Sequence, residues 1–129
     1  MICFAAHYLY VGHGELLTRH IVCLDEMGGI ASIKPLKDET ATTVFLNGLL
    51  CAAFDFPGSN EWMTPLDATS FFSKIRDINP QLQIKEILES FTNDSELKVG
   101  DKPNLWCIES LDLKKLLLLN ETTVYSVFP

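Results

Sequence analysis

The sequence predicts an α+β fold, a β-sandwich assembled from strands at both ends of the chain with two helices between them. Three observations predict it. Apolar, β-prone runs punctuated by turn residues fill residues 2–54. The apolar spacing then becomes helical over residues 65–91, and β-prone runs return over residues 97–128. At 129 residues, with no internal repeat or low-complexity linker, the chain reads as a single domain over residues 1–129.

Residues 2–11 are apolar and rich in aromatics, and Gly12-His13-Gly14 ends the run. Residues 19–25 form a second β-prone run, and Glu26-Met27-Gly28-Gly29 supplies a hairpin turn into residues 30–33, closed by Lys34-Pro35. The polar stretch 37–42 is a loop. Residues 43–46 and 49–54 read as two short strands separated by Asn47-Gly48, a strong turn dipeptide.

Thr64-Pro65-Leu66-Asp67 starts a helix: Thr as N-cap, Pro at the first helical position and an acid three residues after the cap. Ala68, Phe71, Phe72 and Ile75 share one face, and Asn79-Pro80 stops it. Ile84, Ile87, Leu88 and Phe91 repeat at helical spacing and mark a second amphipathic helix. Residues 97–103 lead into a strand at 105–108, and residues 122–128 form the last one. Residues 112–119 fit either a helical turn or extended chain.

A net charge of −7, with only 10 Lys and Arg, predicts no nucleic-acid partner, because phosphate binding needs clustered cations. No run approaches the roughly 20 apolar residues that span a bilayer, so no membrane partner is expected. The N-terminus lacks the charged lead-in of a signal peptide. Cys3, Cys23, Cys51 and Cys107 stand among apolar neighbours with no CxxC spacing, which reads as four buried free thiols in a cytoplasmic protein. On that reading the acceptor triplet Asn120-Glu121-Thr122 carries no glycan.

Candidate chemistry is sparse. His7, His13 and His20 are the three histidines, and their spacing matches no zinc motif. Cys23 and Cys107 lie in apolar strands, where burial suppresses thiolate formation. The glycine pairs Gly12/Gly14 and Gly28/Gly29 belong to hairpins, because a phosphate loop needs a longer pattern before a helix.

Several segments, taken in order, resemble the amidohydrolase superfamily, in particular its aminodeoxyfutalosine deaminase and chlorohydrolase-like branch. His7-Tyr8-Leu9-Tyr10 through Ile30-Ala31-Ser32-Ile33 resembles the family's N-terminal sandwich hairpins. Phe45-Leu46-Asn47-Gly48-Leu49-Leu50 resembles the strand leading into the catalytic barrel. Leu97-Lys98-Val99-Gly100-Asp101-Lys102-Pro103-Asn104-Leu105 resembles the return to the sandwich, and residues 71–92 resemble the last barrel helices. The resemblance implies the composite β-sandwich domain of metallo-dependent hydrolases with most of the barrel deleted.

That deletion decides the expected function. The place of the family's His-x-His pair falls at Gly58-Ser59-Asn60. A second alignment lays residues 55–60 on the last barrel strand, so that Asp55 matches the family's barrel aspartate as a relic. One aspartate cannot hold a catalytic divalent ion, which takes about three protein ligands. The expectation is a non-catalytic protein with no metal and no cofactor, acting as a homodimer. Phe71, Phe72, Trp62 and Phe91 are candidates for its core or interface. Two further readings are an accessory subunit docking on an intact amidohydrolase partner, and a residual hydrolase or deaminase using Asp55.

Overall fold

The computed structural model describes residues 2–11, 16–35, 43–53, 65–91 and 97–127. Seven strands and two helices follow in the order β1 (Ile2–Tyr10), β2 (Leu16–Thr18), β3 (His20–Leu24), β4 (Ile30–Pro35), β5 (Thr43–Ala53), α1 (Pro65–Ile78), α2 (Ile84–Phe91), β6 (Asn104–Glu109) and β7 (Thr123–Ser126). The α+β class and the strand–helix–strand layout match the sequence reading.

All seven strands share one sheet in the order β4-β3-β1-β5-β6-β7, with β2 paired to β1. The strands before and after the helices meet where β5 pairs antiparallel with β6. β1 is central: antiparallel to β2 and β3 along one edge, and parallel to β5 along the other.

The hairpin between β3 and β4 forms as expected. Gly28 takes φ 82°, which glycine adopts without steric cost, and Asp25 Oδ1 accepts from the amides of Met27 and Gly29. The expected break at Asn47-Gly48 does not form. Residues 43–53 are one strand, because Gly48 relieves its local crowding as a bulge (φ 135°) rather than as a turn. A β-carbon there would overlap the carbonyl oxygen of Ile108 on β6.

The helices cover one side of the sheet. Phe72 of α1 and Ile84, Ile87 and Leu88 of α2 pack with Tyr10, Leu49, Cys51, Trp106, Ile108 and Val124. Burying each of these large apolar side chains contributes roughly 1.5–3 kcal/mol. α1 is tied to β7, since the amide of Val124 donates to Thr69 Oγ1 at 2.9 Å. Asn79 ends α1 by offering Oδ1 to the amide of Gln81.

The opposite side holds a second core of Phe4, Ala6, Leu9, Val22, Leu24, Leu50 and Leu105, among others. The edge near β4 is closed by Gly100 N–H donating to Ile30 O and Ile30 N–H to Asp101 O. Residues 111–122 form turns and isolated bridges rather than a helix. Asp112 Oδ1 accepts from the amides of Lys114 and Lys115, the first cause of its lowered pKa being the Lys115 amide. Thr122, inside the acceptor triplet, is buried. Its hydroxyl donates to Ser110 O and accepts from the Leu119 amide, so it closes a turn.

The expectation of four free thiols is overturned. Cys3 and Cys23 are directly opposite in the β1–β3 pair and joined by a disulfide, while Cys51 and Cys107 are free and buried. The premise of the cytoplasmic reading goes with it. No helix among the described residues is long and apolar enough to cross a membrane.

Candidate binding site

In a regular strand, alternate residues face opposite sides. β1 breaks that rule at His7. Phe4 and Ala6 face the second core, but beyond His7 the same core takes Leu9 and Val11, while Tyr8 and Tyr10 turn to the helix side. The neighbouring edge changes in step at Arg19. Val22 and Leu24 of β3 face the second core, as does Leu17 of β2, whereas Leu16 faces the helices.

Arg19 is the residue that separates β2 from β3, and it takes φ 54°. The left-handed region costs a side-chain-bearing residue roughly 1–2 kcal/mol. The pairing survives it: Ala5↔Ile21 and Tyr8↔Thr18 have the same register, which sets Arg19 opposite His7. On the other edge β5 keeps its faces and takes in an extra residue instead, Ala6 pairing with Leu46 but Tyr8 with Leu49.

A cavity of about 300 Å³ opens at this junction, lined by Ala6, His7, Tyr8, Thr18, Arg19, Phe45 and Leu113. His7 is placed from two sides. The bulged Gly48 amide donates to its Nδ1 at 3.3 Å, and the Phe45 ring meets it edge-to-face at 5.6 Å. With Nδ1 accepting, the neutral ring carries its proton on Nε2. The Tyr8 hydroxyl donates to Leu113 O at 3.1 Å and fixes that wall. Phe45 is 56% exposed, and Arg19 and Thr18 are exposed as well.

Chemically, the site offers donors and apolar surface. Among the described residues, no acidic side chain lines it, and no cysteine does. The free thiols lie elsewhere and are held protonated by burial. Cys51 is pushed up to about 12, and Cys107 is raised first by desolvation despite its contact with Tyr125. Cys23 is spent in the disulfide. His20 is not drawn into the cavity; its Nδ1 donates to Thr18 O at 2.8 Å. Among the described residues, no three His, Cys, Asp or Glu side chains converge as a metal site.

Asp55, Trp62, His13 and the Gly58-Ser59-Asn60 stretch lie outside the described residues, as does the side chain of Phe91. Phe72 belongs to the core at 1% exposure, and Phe71 packs beside it half-buried. The sequence reading passed over Arg19, Thr18, Phe45 and Leu113. Their one available signal was the strand register, which sets Arg19 against His7.

No family model, curated protein or solved structure matches the chain.

Proposed function

We propose that this chain is a non-catalytic binding domain of the amidohydrolase-like composite β-sandwich type, and that it acts by associating with a second copy of itself. The observation that carries the association is Phe45. Its large ring is more than half exposed, beside His7 on a part of the sheet where the small cluster of Cys3, Ile21 and Cys23 includes no helix residue among the described residues. An aromatic side chain left in water gains by being covered, and two-fold pairing is the commonest way proteins do so. The composite-domain reading is supported by strands from both ends of the chain sharing one sheet through β5 and β6.

Sedimentation velocity at tens of micromolar tests it. The unmodified chain should run as a dimer and Phe45→Asp as a folded monomer. A strict monomer for the unmodified chain overturns the reading.

A further inference from the structure

We propose that the cavity between His7, Arg19 and Phe45 binds a small carboxylate carried on an apolar or aromatic stem. Three observations converge. The polar side chains of its lining residues are donors or can act as donors: Arg19, His7 through the Nε2–H left when Nδ1 accepts from Gly48, Thr18, and Tyr8, whose hydroxyl is already given to Leu113 O. Such a set, with no acidic side chain among the described lining residues, complements an anion. A guanidinium holds a carboxylate through two parallel hydrogen bonds.

The remaining walls are Ala6, Tyr8, Phe45 and Leu113, which suit an apolar stem and disfavour a fully hydrated ion such as phosphate. At about 300 Å³ the space fits a ligand of benzoate size, with the Phe45 ring available for stacking.

The third observation is that Arg19 reaches this place from a strained backbone. Its φ of 54° interrupts a hairpin edge whose register is the same on both sides. Strain held at one residue of an otherwise regular edge is characteristic of positions that place a side chain for a ligand.

This inference rests on the reading that the chain binds rather than transforms its ligand. Because Phe45 serves both the cavity and the association, benzoate binding and pairing compete. A monomer that binds benzoate would remove the dimer and keep the site; a chain diluted until it is monomeric that still ignores benzoate would remove the site.

Titration calorimetry of the full chain with benzoate, benzamide and inorganic phosphate is the test. Benzoate should bind, with benzamide and phosphate about tenfold weaker or silent. Arg19→Gly is the informative variant, since glycine accepts the left-handed backbone while the guanidinium is lost with the rest of the side chain. It should melt no lower than the parent yet bind benzoate at least about tenfold more weakly. Arg19→Lys should also bind more weakly, lacking the two-pronged geometry. Equal binding of benzoate and benzamide, equal binding of phosphate, or unchanged binding by Arg19→Gly would each overturn the site. A peptide ending in phenylalanine, with free or amidated carboxyl, separates the sources. Tighter binding of the free-acid peptide than of benzoate assigns the carboxylate to a protein terminus, and weaker binding assigns it to a free small acid.

Discussion

Cys3 and Cys23 occupy facing positions on β1 and β3 and are covalently joined. The bond closes a loop with a sequence separation of 20, which restricts the unfolded chain and contributes about 3 kcal/mol by loop-closure entropy. Alkylation followed by mass spectrometry should find two thiols in the unreduced chain once it is unfolded, and four after reduction. The Cys3→Ser/Cys23→Ser pair should lower the unfolding free energy by about that amount in a denaturant titration. Four alkylated cysteines without reductant would contradict the bond.

Gly48 is irreplaceable for two separate reasons, its φ of 135° and the nearness of the Ile108 carbonyl. Gly48→Ala should cost about 3 kcal/mol or more, because either backbone must move and the β5–β6 ladder starts there at Leu49↔Ile108. The measurement is the denaturation midpoint. A loss under about 1 kcal/mol would show that the bulge relaxes freely.

Phe72 fills the helix-side core, whereas Phe71 stands at its margin. Phe72→Ala should therefore cost about 3–5 kcal/mol, and Phe71→Ala distinctly less. Equal losses would mean that α1 is rotated relative to the sheet.

Burial raises the Cys51 thiol from its ordinary 9.0 to about 12. Above pH 9 the unfolded chain releases a proton that the folded chain keeps, so stability is intact below that pH and falls as pH rises toward 12. The loss is on the order of 4 kcal/mol at the upper limit. Cys107 and Tyr125, also raised chiefly by desolvation, add in the same direction. Cys51→Ala should flatten the decline between pH 9 and 11 without abolishing it. An unchanged slope would place the titration elsewhere.

The elements most legible in the sequence were those with a strong local signal. The hairpin at Gly28, the helix stop at Asn79-Pro80 and the apolar repeat from Ile84 to Leu88 all depend on neighbours within a few residues. Asn47-Gly48 carried an equally strong local signal and misled, because the decisive contact is with Ile108, sixty residues away. Cys3 and Cys23 face each other only once β1 and β3 are aligned residue by residue, which no neighbour of either cysteine signals. The site at His7 needed two simultaneous departures from alternation, one on each strand, and simple periodicity assumes there are none.

The position of β1 bears on the order in which the chain can assemble. Its antiparallel partners arrive within the first 24 residues, but its parallel partner ends at Ala53, and the strand that seals β5 begins at Asn104. During synthesis β5 is therefore an open edge for about fifty residues of further translation, and the helix-side core closes late. A nascent chain stalled in that interval would present an unpaired hydrogen-bonding edge, the kind of surface that draws chaperones or neighbouring copies.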